Sequence, residues 1–376
     1  MMNPIQMVDL RTQYLRIKPE MDAAIQHVLD STAFIQGSPV QEFEEKLAQH
    51  TGCKHIISCG NGTDALTAAL MALGIGRGDE VITVPFTFIA TVEAIALTGA
   101  TPVFADIDKD TFLTDARKLE AVITPKTKAI IPVHLYGQCA DMETILSIAE
   151  KRHISVIEDA CQAVGTEYTF SDGRVKQAGT MGDIGCLSFF PSKNLGGYGD
   201  GGALMTQDDE LSARLRAICR HGSTKRYHHD RIGMNSRLDT LQAAILTVKL
   251  KHLNEYIAAR QKAAKYYHQA LCDVEGLVLP SPAPHSTHTY HQFTLKVKNG
   301  KRDALKQHLA DNGIPSMIYY PIPAHLQPAY SYLDHKEGAF PISEQCCREV
   351  LSLPMHTELS EDQLHYICQT IKEFPL

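Results

Sequence analysis

The sequence predicts an α/β protein, with a large, mostly parallel sheet covered on both faces and a smaller α+β unit after it. Three observations carry that prediction. Short apolar runs alternate with helix-spaced runs between residues 55 and 190, the pattern of a covered parallel sheet. Residues able to do chemistry fall just after those runs, where open α/β sheets bind ligands. From about residue 275 the texture changes to proline- and histidine-rich sequence with isolated strands. The expected division is 1–253 for the large domain and 254–376 for the small one.

Taken in order, residues 18–30 carry helical spacing through Met21, Ile25, Val28 and Leu29. Pro39 sits near the start of a second helix over 40–51. Residues 55–60 read as a buried strand, 61–64 as a turn and 65–73 as an apolar helix. Free amides and the positive end of the dipole make such a turn an anion site, and Thr63 adds a hydroxyl. A plain capped helix, with Thr63 or Asp64 as the cap, fits the same residues. Strands follow at 80–84, 101–105, 128–133 and 154–159, with helices over 89–98 and 141–152. Cys186, Leu187, Phe189 and Phe190 form a further strand, ended by Pro191, which has no N–H for a ladder. A helix over 208–218 leads to a polar, basic stretch, 220–231, read as a solvated loop. A strongly amphipathic helix over 239–252 and a linking helix over 254–272 come next. A strand at 291–297 and helices over 301–312 and 360–373 complete the small domain.

Composition sets limits on function. At 376 residues, with 44% hydrophobic and 21% charged, the chain is expected to be a soluble protein of about two domains. A net charge of −7 gives no basic face for nucleic acid. No apolar run is long enough to span a membrane. Residues 1–16 mix Asp9 and Arg11 with apolar residues and lack a signal-peptide core, so a cytoplasmic location is expected. The ten cysteines include no Cys-x-x-Cys and are expected to be buried thiols. His228 and His229 are adjacent and point apart, so no metal site is expected there.

Residues 182–202 organise the rest. Lys193 follows Pro191 and precedes five glycines within seven residues, at 196, 197, 199, 201 and 202. A lysine enclosed between a buried strand and a tight loop loses hydration, which lowers its pKa and makes it an amine nucleophile. The glycines are expected to turn at positive φ and to let a bulky ligand approach. An exposed lysine at a loop mouth is the plainer alternative. Asp159 ends an apolar strand and is followed by small residues. Alone it reads as a helix cap. Paired with Lys193, it reads as the anion that holds a pyridinium proton. Pyridoxal phosphate needs a lysine, a carboxylate at the ring nitrogen, a phosphate site and a flat group on the ring. Lys193, Asp159, the Gly62-Thr63-Asp64 turn and Phe88 supply these in turn. Asn235, Ser236 and Arg237 precede a helix and suit a second anion contact, while Tyr319 and Tyr320 suit either a cleft or the core.

Seven motifs carry a resemblance. They are Gly60-Asn-Gly-Thr-Asp-Ala-Leu66, Pro85-Phe-Thr-Phe-Ile-Ala-Thr91, Val133-His-Leu-Tyr-Gly137, Glu158-Asp-Ala-Cys-Gln162, Ser188-Phe-Phe-Pro-Ser-Lys193, Gly199-Asp-Gly-Gly202 and Gly233-Met-Asn-Ser-Arg-Leu-Asp239. Together they resemble the DegT/StrS group of fold-type I, pyridoxal-phosphate-dependent sugar aminotransferases, over residues 8–373. The resemblance implies that Lys193 forms the Schiff base and shuttles the proton, and that Asp159 pairs with the pyridine nitrogen. It implies Gln162 at the ring face or its 3-hydroxyl, Phe88 stacked on the ring, and Thr63 and Ser188 at the phosphate. Asn235 and Arg237 are implied to reach in from the partner of an obligate homodimer. Arg237, Tyr319 and Tyr320 would touch the substrate, and the basic 220–231 loop, His229 included, would suit its diphosphate. Asp200 stands where the family usually has Glu.

Within the family the chain is most similar to enzymes that aminate 3-keto nucleotide sugars for bacterial O-antigen or lipopolysaccharide. The implied donor is L-glutamate. The implied acceptor is a UDP-linked 3-keto-N-acetylhexosamine or its uronate, with a dTDP-3-keto-6-deoxyhexose as the alternative. The uronate enzymes resemble His-Tyr-Pro-Ile-Pro where this chain has Tyr319 first. A sugar dehydratase of the family would have histidine at the lysine position, which Lys193 disfavours. A non-catalytic regulatory homologue is disfavoured by the intact Lys193, Asp159 and Thr63. A phosphate-binding loop at 196–202 lacks the Gly-Lys-Ser/Thr signature.

Overall fold

Short strands with buried side chains must pair with neighbours to satisfy their backbone, and here seven of them form one sheet. The computed structural model describes residues 4–376; the start of the N-terminal segment read above, 1–3, lies outside the described residues. Helices α1 (Leu10–Arg16), α2 (Lys18–Ser31) and α3 (Ser38–Thr51) come first. Strand β1 (His55–Cys59) runs into α4 (Gly62–Ala72). Then follow β2 (Glu80–Thr83), α5 (Ala90–Leu97), β3 (Thr101–Phe104), β4 (Thr127–Ile130), α6 (Met142–Arg152) and β5 (Ser155–Asp159). A hairpin of β6 (Glu167–Thr169) and β7 (Val175–Gln177) leads to β8 (Ile184–Ser188) and β9 (Gly202–Thr206).

The sheet order is β1-β9-β8-β5-β4-β2-β3, and β9 alone runs antiparallel to its neighbours. That insertion builds the site. Gly202 on β9 stands opposite both Cys59 and Ser188, so the end of β1 and the end of β8 flank it at the same level. Asp159 on β5 pairs in register with Cys186 on β8. Three strand ends distant in sequence thus meet at one edge. Apolar clusters pack both faces: α3 and α6 contribute to one, α4 and α5 with Leu215 and Ile218 to the other.

Helix α7 (Asp209–Ile218) precedes a hairpin of β10 (Ser223–Lys225) and β11 (His228–His229), then α8 (Thr240–Lys251) and α9 (Leu253–Leu271). The last part holds β12 (Leu277–Val278), β13 (Phe293–Val297), α10 (Arg302–Asp311), α11 (Pro341–Glu349), β14 (Val350–Leu353) and α12 (Glu361–Lys372). Residues of α9, β13, α10, β14 and α12 share a separate apolar cluster, which Ile5 joins.

Several expectations are corrected. Helix α4 starts at Gly62, three residues early, and its cap is Asn61, whose Oδ1 accepts the Asp64 amide at 2.8 Å, not Thr63 or Asp64. The polar stretch 220–231 is an exposed hairpin and not a loop, paired from Ser223 to His229. Helix α8 is not strongly amphipathic. It is buried nearly all round, from Ala243 to Leu250 without a break, because α2 and α3 cover the face that polar spacing assigned to solvent. Of the cysteines, Cys272 is exposed and Cys161 half-buried; the other eight are buried.

Between β5 and β8 sits a closed polar knot. Glu158 and His134 are fully buried, and His134 Nε2 donates to Glu158 Oε2 at 2.8 Å. The His134 Nδ1 accepts the Ala140 amide at 3.2 Å, so the ring proton is on Nε2. Glu158 also accepts the amides of Gly179, Met181 and Gly182 at 2.6–2.8 Å, fastening the approach to β8 onto β5.

Candidate active site

At the carboxyl ends of β1, β5 and β8 a cavity of about 410 Å³ opens, within the range of small-molecule sites. Gly62, Thr63, Phe88, Asp159, Gln162, Ser188 and Lys193 all line it, as do Tyr319 and Tyr320. A larger hollow of about 610 Å³ between α3 and Arg216 contains none of these residues.

Lys193 reaches the cavity because its amide donates to the Phe190 carbonyl at 2.8 Å, turning the chain sharply after β8. Burial lowers the pKa of its ammonium, while Cys161 and Asp159 pull the other way. Its side chain makes no hydrogen bond or ion pair with any described residue.

Asp159 is 6% exposed. Its Oδ2 accepts the Thr91 hydroxyl at 2.7 Å, and its Oδ1 accepts the Cys161 amide at 3.2 Å. Both partners donate to it.

The start of α4 faces the same space. Asn61 satisfies the Asp64 and Ala65 amides, which leaves the Gly62 and Thr63 amides free. Free amides at a helix start favour an anion. A side chain on Gly62 would put its Cβ 2.8 Å from Ser188 Cβ and 3.0 Å from Cys161 Sγ, so glycine keeps this cradle open. Asp64 does not line the cavity; it lies in the first turn of α4.

Gln162 is fixed from both ends. Its Oε1 accepts the Tyr136 amide at 2.8 Å, which turns its Nε2 to donate to Tyr320 Oη at 3.1 Å. The Tyr320 hydroxyl keeps its own proton, and burial raises its pKa. The Tyr136 hydroxyl donates to the Tyr319 carbonyl, and the Tyr319–Tyr320 peptide is cis. Phe88, more than half exposed, tilts toward Tyr320 with ring centroids 6.0 Å apart. His291 also lines the cavity, and burial, Lys193 and Arg260 hold it well below the usual imidazole range.

The five glycines after Lys193 are corrected in their role. None adopts the left-handed region. They allow close packing of the chain on itself: a Cβ on Gly196 would stand 2.3 Å from the Pro191 carbonyl oxygen, and one on Gly202 2.4 Å from that of Asn61. Asn235, Arg237 and His229 do not line the cavity. Asn235 bridges to Arg220, Arg237 lies by Arg216 and Arg220, and His229 is exposed with Nδ1 on the His221 carbonyl at 2.8 Å. The sequence places Asn61 and Tyr136 at strand ends without their partners, and gives no role to Thr91 or His291. Thr91, Asn61 and Tyr136 stand inside the motifs, but their partners are set by the fold.

A parallel-rich sheet with a desolvated lysine and a buried carboxylate at its strand ends is the architecture of a fold-type I aminotransferase. The chain belongs to the DegT/DnrJ/EryC1/StrS aminotransferase family, whose description matches residues 15–372. It is 48% identical to a pleiotropic regulatory protein of Geobacillus stearothermophilus, covering 98% of each chain. It is 47% identical to the UDP-2-acetamido-2-deoxy-3-oxo-D-glucuronate aminotransferase of Pseudomonas aeruginosa, covering 98% of this chain and 99% of that one. Among solved structures it is similar to S. venezuelae DesV, with a TM-score of 0.94 and 39% identity over 99% of this chain and 98% of that one. No helix among the described residues is long and apolar enough to cross a membrane.

Proposed function

We propose that this aminotransferase moves an amino group from L-glutamate to the C3 ketone of a nucleotide-linked sugar, a UDP-3-keto-N-acetylhexosamine or its uronate. Its cofactor is pyridoxal phosphate. The observation that carries the reading is the convergence of Lys193, Asp159 and the free amides of α4 on one cavity.

The residues present fit the cofactor. The Gly62 and Thr63 amides, with the Thr63 and Ser188 hydroxyls, would hold its phosphate. Asp159 would keep the proton on the ring nitrogen, Phe88 would cover the ring and Gln162 would meet its edge. When bound, the cofactor supplies an electron sink and carries the amino group between the two substrates. Lys193 would supply the amine that attaches it and would then move the proton between carbon centres. Tyr319 and Tyr320 would face the sugar.

In this reading Asn235, Arg237 and His229 serve the site of a second copy, so the working unit is a homodimer in the cytoplasm. Their positions off the cavity support it. The product would enter bacterial surface-polysaccharide synthesis. We also take residues 1–253 as the cofactor-binding domain and 254–376 as the small one, supported by the separate apolar cluster.

The test is an absorbance titration of the holoenzyme. L-glutamate should bleach the visible cofactor band, and one 3-keto sugar nucleotide should restore it. Restoration by a dTDP-3-keto-6-deoxyhexose alone would move the acceptor to that class. A band indifferent to glutamate would sink the donor. A second check is Gly62→Ala, which is expected to weaken cofactor binding about tenfold in equilibrium dialysis, since the new methyl would crowd Ser188 and Cys161. Unchanged affinity would remove the phosphate assignment from this turn.

A further inference from the structure

The carboxylate of Asp159 is held by more than the strand that carries it. Thr91, in the first turn of α5, is 1% exposed, and its hydroxyl lies 2.7 Å from Asp159 Oδ2. The same hydroxyl lies 3.3 Å from the Phe88 carbonyl and 3.0 Å from the hydroxyl of Thr87, which is 5% exposed. Thr91 has one proton to give. The shorter, charge-assisted bond takes it, so Thr91 donates to Asp159. The Thr91 oxygen is then an acceptor, and Thr87 must donate to it. The chain of donation runs in one direction, Thr87 to Thr91 to Asp159.

We propose that Thr91 is a positioning residue that aims the Asp159 carboxylate and keeps it ionised, with Thr87 setting the direction of the donation; this rests on the reading that Asp159 faces the cofactor ring nitrogen. A hydroxyl donated to the ionised carboxylate stabilises that form over the protonated one. It also occupies one lone pair of Oδ2, while the Cys161 amide occupies one of Oδ1. Each oxygen keeps acceptor capacity for a further donor. The segment from Thr87 to Thr91 therefore sets two contacts at once. Phe88 lies at the cavity wall, and three residues later the same turn fixes the carboxylate.

The test uses holoenzyme of the wild type, Thr91→Val, Thr91→Ser and Thr87→Val. Valine keeps the shape of threonine and removes only the hydroxyl. A less firmly ionised Asp159 leaves less positive charge at the ring nitrogen. The nitrogen joining Lys193 to the cofactor then keeps its proton to higher pH. The pH midpoint of the visible band in Thr91→Val should rise by about half a unit or more, with cofactor released several-fold faster on dialysis. Thr91→Ser should restore the wild-type midpoint, and Thr87→Val should move it less, in the same direction. A Thr91→Val midpoint equal to the wild type, whatever its thermal stability, overturns the proposal and makes Thr91 a packing residue. Wild-type protein that shows no visible band even after pyridoxal phosphate is added would overturn the reading of the site itself, and the two failures are told apart in the same cuvette.

Discussion

Lys193→Ala protein is expected to fold as the wild type does and to lose turnover by at least about a thousandfold. The two halves of that expectation have separate causes. The lysine side chain makes no hydrogen bond or ion pair with a described residue, and burial disfavours its charge. Removing it takes away no stabilising contact and relieves a desolvated ammonium, so the thermal midpoint should hold or rise. The chemistry has no substitute. Asp159 and Asp200, which also line the cavity, are acceptors, and His291 is held neutral by burial with Lys193 and Arg260 beside it. No other side chain lining the cavity is an amine. Borohydride should fix the cofactor to wild-type protein and not to the variant, and a small exogenous amine should restore part of the rate. Turnover within tenfold of the wild type would show that Lys193 is not the amine in question.

Lys249→Met is expected to stabilise the protein. Lys249 lies on α8, is 1% exposed and has no ion pair. Its ammonium sits 5.1 Å from the centre of the Tyr198 ring. Burial, with Arg260 nearby, brings its pKa down to about 8 from the ordinary 10.5. At pH 7 that depression disfavours the native state by about 3 kcal/mol. Methionine keeps the length without the charge. Loss of the cation–ring contact offsets about 1 kcal/mol, which leaves a net gain of about 2 kcal/mol. The pH dependence follows from the sign of the shift. Between pH 8 and 10.5 the unfolded chain holds a proton that the native protein has released, so wild-type stability rises with pH across that window. Below pH 8 the penalty is present in full. In urea unfolding, the variant should exceed the wild type at pH 7, and the difference should shrink by pH 10. A variant less stable than the wild type at pH 7 would mean that the Tyr198 contact outweighs the buried charge.

The parts of the site that were legible in the sequence are those fixed locally. Lys193 follows a proline that ends a strand, Asp159 ends an apolar run, and Gly62 and Thr63 open a helix, so each position follows from its neighbours. Strand β9 follows β8 directly and pairs with it, but its other partner, β1, is far away in the chain, and no local signal announces that insertion. Thr91 falls within a motif, but the sequence shows no role for it, because its partner Asp159 is 68 residues away. Tyr319 and Tyr320 were balanced between core and cleft. The fold puts them at the cavity, where Tyr136 and Gln162 hold them. The spacing of α8 pointed to a polar face, yet burial by α2 and α3 is a tertiary fact that leaves spacing unchanged. The glycines after Lys193 suggest turns at positive φ. Composition marks that glycine is required there but not whether torsion or crowding requires it, and here it is crowding.

Glu158 and Asp159 are neighbours with the same functional group, and strand β5 sends them to opposite sides. One carboxylate is spent on three backbone amides and a histidine, and the other is presented to the cavity. A one-residue slip of β5 against β8 would exchange them, placing Glu158 in the cavity and Asp159 in the knot. The bonds of Glu158 therefore act as a frame check on translation of sequence into chemistry. A chain that pairs these strands out of step cannot close the knot, and cannot assemble a site that looks right and works wrongly.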